Sequence, residues 1–265
     1  VGVLAYILPT SIVTWLPICV YHITKSRYSV WELLVKRYTL IGLTIGSLMV
    51  ALDSYFHGSF IVTPYEFFKV NVLDGVGSFY GSHPFYWYFS SGFPAILGIS
   101  IVPFYLAVIN TMQNWNESKE RQVILISIIF TVFAFSFLPH KEFRFLLQIL
   151  PMCLYIISSY LSNWSRNKNE ILIWIVALVI LVANIVPAGY LGFVHQQGTI
   201  KVMGKISEVA KNNTQEGRNV KIFFMMPCHS TPYYSHVHAN ITMRFLNCDP
   251  NFTDPKYVDE ADKFY

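Results

Sequence analysis

Apolar residues dominate this chain in six long runs, at about 1–21, 38–55, 94–111, 123–138, 145–161 and 171–194, separated by short polar stretches. About 20 consecutive apolar residues cross a bilayer as a helix. None of the six carries the polar stripe that a helix on a water-soluble core needs, so a soluble helical bundle is set aside. Pro9, Pro17, Gly42, Gly46, Pro103, Pro151 and Pro187 fall inside the runs. Neighbouring membrane helices tolerate such residues by re-satisfying the freed backbone groups. After 194 the pattern changes. Apolar positions recur at helical spacing over 200–211, and 220–226 reads as a short buried strand. The expected fold class is an all-α polytopic membrane protein with about six transmembrane helices in a domain over 1–194. A small α/β segment over 195–265 follows it.

Charge sharpens this division. Only 13% of residues are charged, with 54% hydrophobic and 17% aromatic, against about 25% charged in soluble domains. Residues 1–194 hold 11 Lys and Arg and 8 Asp and Glu, while 195–265 hold 8 and 7, so the final quarter carries nearly half the charge and is expected to sit in water. The net charge of +4 comes with no long basic run, which argues against nucleic acid as a partner. Lys25, Arg27, Lys36 and Arg37, then Lys119 and Arg121, then Arg166 and Lys168 lie in alternate loops. The positive-inside rule places those loops in the cytosol. The loop 56–93, the hairpin 139–144 and the tail then face the opposite side. Of five Asn-x-Ser/Thr sequons, Asn212, Asn240 and Asn251 fall there and are candidate glycosylation sites; Asn116 and Asn163 fall on the cytosolic side. Cys228 and Cys248 can pair in an oxidising compartment. The chain opens at Val1 inside an apolar run, with no initiator Met and no charged leader. This predicts a piece of a longer chain rather than a cleaved signal peptide.

Three segments carry candidate chemistry. Between the fourth and fifth runs lie His140, Lys141, Glu142 and Arg144, pinned at the membrane boundary by two helices. The charge rule disfavours Lys141 and Arg144 on that side, which points to a task. Lys and Arg can hold the phosphate oxygens of a lipid headgroup, Arg as a two-pronged fork; Glu142 can orient either cation and His140 can donate a hydrogen bond. Asp53 lies near the end of its run, where an ionisable group is a functional candidate. The aromatic stretch 78–89 contains Tyr80, His83 and Trp87. It suits the headgroup layer and is a candidate contact for sugar or lipid chain. His229, His236 and His238 sit close together in the tail, but no acidic or cysteine partner completes a zinc spacing, so no metal is expected.

His140-Lys141-Glu142-Phe143-Arg144-Phe145 and Tyr80-Gly81-Ser82-His83-Pro84-Phe85-Tyr86-Trp87-Tyr88 resemble signature segments of the dolichyl-phosphate-mannose-dependent mannosyltransferases of the endoplasmic reticulum (ER). The tail segment 226–238, with Met243-Arg244-Phe245-Leu246 and Asp259-Glu260-Ala261-Asp262, resembles the branch acting in GPI-anchor assembly. The resemblance implies a GT-C membrane fold. It implies transfer of mannose, with inversion, from dolichyl phosphate mannose to the GPI-anchor precursor, as the third mannose in an α-1,2 linkage. It places the active site and tail in the lumen, with a carboxylate as general base. In the family that carboxylate lies in the first lumenal loop, which has no counterpart here and is expected upstream of Val1. Phe85-Tyr86 departs from relatives that carry Trp and His at this pair. The alternatives are an α-mannosyltransferase of the dolichol-linked N-glycan precursor, a transporter or scramblase, and a non-catalytic subunit. A transporter would show inverted repeats, and no internal repeat is visible.

Overall fold

A computed structural model describes residues 2–77, 81–226, 228–249 and 258–264. Its contacts divide the chain into two units, Val1–Ala183 and Asn184–Tyr265.

The first unit is helical. It runs through α1 (Gly2–Ile7), α2 (Ser11–Lys25), α3 (Thr39–His57), α4 (Thr63–Phe68), α5 (Phe93–Leu97), α6 (Ile101–Gln113), α7 (Lys119–Ser136) and α8 (Leu150–Ser165) into α9 (Glu170–Phe193), within which the division between units falls. A widened turn, Glu32–Tyr38, leads into α3; another, Tyr88–Gly92, leads into α5; a tight turn, Phe143–Ile149, leads into α8. Gly58, with φ of 70°, closes α3 in the left-handed conformation that glycine adopts without strain.

Four stretches among the described residues are long and apolar enough to cross a membrane: Glu32–His57, Tyr88–Gln113, Phe143–Ser165 and Glu170–Gln215. The chain is a multi-pass membrane protein. These stretches correspond to the second, third, fifth and sixth apolar runs. The other two runs differ from expectation for local reasons. Pro9 breaks the first run into α1 and α2, because it lacks an N–H and crowds the preceding turn; α2 is left with 15 residues. The fourth run becomes α7, whose 18 residues begin with Lys119, Glu120 and Arg121. The third begins at Tyr88, not at 94. The expected loop 56–93 therefore ends earlier, and it also contains the short helix α4.

The core lies among α5, α6, α7, α8 and the turns that lead into them, around Phe93, Phe104, Leu125, Ile128, Leu146 and Ile156. α2 packs on α7 through small hydroxyl side chains. Thr131 Oγ1 donates to Thr14 Oγ1 at 3.2 Å, and both residues are buried. Small residues let membrane helices approach closely. In contrast, α3 and α9 have no buried residues although they are mostly apolar. Such a surface needs lipid, and 24 residues of α9 span roughly 36 Å at 1.5 Å per residue.

The second unit holds α10 (Gln197–Gln215), β1 (Lys221–Phe224), α11 (Tyr234–Val237), β2 (Thr242–Phe245) and α12 (Glu260–Phe264). β1 and β2 pair in parallel, from Lys221 opposite Thr242 to Phe224 opposite Phe245. Met203 and Ala210, seven residues apart and so on one face of α10, are buried with Phe224, Val237 and Ile241. The strand expected over 220–226 is shorter, and it gains a partner in β2. Cys228 and Cys248, which follow the two strands, are joined in a disulfide with Cα atoms 6.0 Å apart.

Candidate functional site

The hairpin and the aromatic segment, more than 50 residues apart in sequence, form one structure. The His83 N–H donates to Pro139 O at 3.0 Å. Lys141 Nζ donates to His83 O at 2.9 Å and to Leu138 O at 2.6 Å. His140 Nδ1 hydrogen-bonds Gly81 O at 3.2 Å, and its Nε2 bonds Glu142 Oε1 at 2.8 Å. Aromatic packing continues the seam. His83 stacks on Trp87 with centroids 4.8 Å apart, and Trp87 packs on Phe143 at 4.9 Å. Phe85 sets its edge against Phe133 and Phe137.

The four ionisable hairpin residues divide by exposure. Lys141 is 3% exposed, and burial pushes its ammonium pKa down. Arg144 has 71% of its side chain exposed. Its Nη2 donates to Glu142 Oε1 at 2.6 Å and its Nε pairs with Oε2, so one edge of the guanidinium lies on the carboxylate. Burial alone would raise the Glu142 carboxyl, but hydrogen bonds from His140 and Arg144 and the adjacent positive charge outweigh it and hold the group below the usual carboxylate range. Glu142 therefore aims Arg144, and His140 steadies Glu142 from behind.

Two neighbours that sequence reasoning did not single out shape this site. Gly92 passes so close to Leu146 that a Cβ there would lie 2.8 Å from Leu146 Cδ1. Tyr88 is fully buried beside it. The small-residue run Ser90-Ser91-Gly92 was the available signal. An apolar cavity of about 210 Å³ extends from Phe85 past Phe89 and Phe93 to Phe104 and Val132.

The remaining candidates lie elsewhere. Asp53 accepts from Tyr6 at 3.0 Å and from Thr63, so it ties α3 to α1 and α4. Among the described residues no hydrogen bond or ion pair joins it to the hairpin. Tyr80 and Asn251 lie outside the described residues, while Asn212 and Asn240 are exposed. His229 lies within 4.8 Å of the sulfurs of Cys228 and Cys248, but these are bonded to each other and offer no thiolate.

The sequence model of the Alg9-like mannosyltransferase family matches residues 2–238. The chain belongs to that family. The match covers the aromatic segment, the hairpin and the tail as far as His238. Among curated relatives of this Alg9-like chain, GPI mannosyltransferase 3 of Drosophila melanogaster is 48% identical over 100% of this chain and 47% of its own length. GPI alpha-1,2-mannosyltransferase 3 of Homo sapiens is 38% identical over 99% of this chain and 45% of its own. GPI mannosyltransferase 3 of Yarrowia lipolytica is 30% identical over 100% and 49%. The chain thus spans about half the length of the curated relatives it matches. No solved structure matches it.

Proposed function

We propose that the complete protein transfers mannose from dolichyl phosphate mannose to the GPI-anchor precursor, adding the third mannose in an α-1,2 linkage within the ER lumen. The observation that carries this reading is the hairpin. Between α7 and the membrane-capable stretch Phe143–Ser165 it presents an exposed guanidinium already oriented along one edge by a carboxylate. A phosphate is recognised by such a fork through paired charge-assisted bonds. The curated relatives are named for GPI mannosyl transfer, and the match to the Drosophila melanogaster relative runs over 100% of this chain, tail included. His140, Glu142 and Arg144 form the polar end of the donor site. The cavity behind Phe85 takes hydrocarbon, and His83 and Trp87 line the approach of sugar. Asp53 and Glu142 already accept two partners each, and neither is assigned as the general base. In this reading all six apolar runs cross the bilayer, with α1 and α2 together making one crossing. The hairpin and tail face the lumen, where Asn212, Asn240 and Asn251 are open to glycosylation.

The test is complementation. The full-length protein should restore GPI-anchored proteins to the surface of cells lacking the third-mannose enzyme. A charge-assisted contact of about 1.5–3 kcal/mol makes Arg144→Ala cut transfer roughly tenfold or more at limiting donor. Unchanged transfer by that variant would remove the phosphate from this site. Rescue of N-glycan precursor assembly in its place would reassign the acceptor.

A further inference from the structure

We propose that Lys141 is a positioning residue that fastens the aromatic segment to the hairpin, and that Arg144 is the cation of the pair that meets the donor phosphate. The proposal rests on the reading of the hairpin as a phosphate site and divides the labour within it.

The two side chains differ in exposure and in partners. Arg144 is exposed, with one edge of its guanidinium on Glu142 and the Phe145 ring 5.9 Å from its centre. Lys141 is 3% exposed, and its ammonium reaches backbone carbonyls of two segments, Leu138 just upstream and His83 across the seam. The His83 backbone is thereby held on both sides, its N–H by Pro139 and its C=O by Lys141. His83 in turn carries Trp87, and Trp87 packs on Phe143 next to Arg144. A phosphate drawing Lys141 outward would take the ammonium from two carbonyls of a part-buried seam and give up two charge-assisted bonds. A compact ammonium on a flexible stem suits this position. A guanidinium holds its donors in one rigid plane, which suits a two-pronged acceptor better than two carbonyls on different segments. Lys141 thus sets where Arg144 and the aromatic segment stand relative to each other.

Two measurements on the full-length protein test this. The first needs no mutation. A water-soluble amine-acylating reagent is followed by mass spectrometry, with and without dolichyl phosphate. Lys141 should label at least about tenfold more slowly than an exposed lysine such as Lys205, whose side chain is 80% exposed, and added lipid should not change its rate. Ready labelling that dolichyl phosphate suppresses would overturn the proposal. The second separates kcat from KM. Lys141→Met should lower kcat about tenfold and leave donor KM within about twofold, whereas Arg144→Ala should raise donor KM. Hydrogen exchange at the His83 amide should rise in Lys141→Met and stay unchanged in Arg144→Ala. A donor KM raised equally by both substitutions, with exchange unchanged, would make Lys141 a ligand. If Arg144→Ala leaves donor use untouched, the phosphate reading itself fails, and the labelling and exchange results still report on the fastening.

Discussion

Replacing Gly92 with Ala probes the contact on which the hairpin rests. The new Cβ would lie 2.8 Å from Leu146 Cδ1 and 3.1 Å from Tyr88 Cδ1. Neither neighbour has room to yield, since both have 0% exposure. Overpacking a closed core by a methyl group costs about 1–3 kcal/mol, while the reduced backbone freedom of Ala returns roughly 0.5–1 kcal/mol in a helical position. Taken near the middle of both ranges, the net loss is about 1–2 kcal/mol. For a unit of this size each kcal/mol moves Tm by roughly 2–4 °C, so detergent-solubilised Gly92→Ala should melt roughly 2–8 °C below wild type by tryptophan fluorescence. Gly42→Ala on α3, where nothing lies within 4 Å, is the control and should be neutral or slightly stabilising. Leu146→Val in the Gly92→Ala background should recover part of the loss, because neighbours in contact do not add independently. A Gly92→Ala protein as stable as wild type, with the control behaving as stated, would refute the close-approach argument and weaken the case that Leu146 sets the hairpin's position.

Two further outcomes follow from the charge pattern and the disulfide. Glu142 has a folded-state pKa below its ordinary value, so its contribution to stability is full above the ordinary carboxylate range and is lost as pH falls through the lower folded value. Wild type should therefore exceed Glu142→Gln in protease resistance of the hairpin at neutral pH. The gap should close on acidification, and a gap that widens toward acid would contradict the assignment. Cys228 and Cys248 are 20 residues apart; a loop of that size stabilises by roughly 3 kcal/mol through restriction of the unfolded chain. Cys248→Ser should markedly speed proteolysis of the second unit, and equal resistance in the two proteins would show that the cross-link contributes little there.

Hydrophobic patterning alone determined that the chain is mostly helical, is fit to lie in a membrane and ends in a more polar α/β segment. A bilayer requires long runs without a polar face, and that requirement is written residue by residue. Pro9 and the charges at 119–121 were visible too, although their effect on the first and fourth runs depended on helix length, which composition does not set. The residue types of the hairpin led to the proposal of a phosphate site, and the motif at 140–145 resembled the family that the chain belongs to. What the sequence could not give was which way each cation faces. Lys141 and Arg144 look equivalent in a short polar turn, and only the approach of the segment at 81–88 buries one against carbonyls and leaves the other outside. The Gly92–Leu146 contact and the pairing of β1 with β2 are likewise products of chain segments distant in sequence. Burial is a property of the neighbours a residue acquires, and those neighbours exist only once the chain has folded.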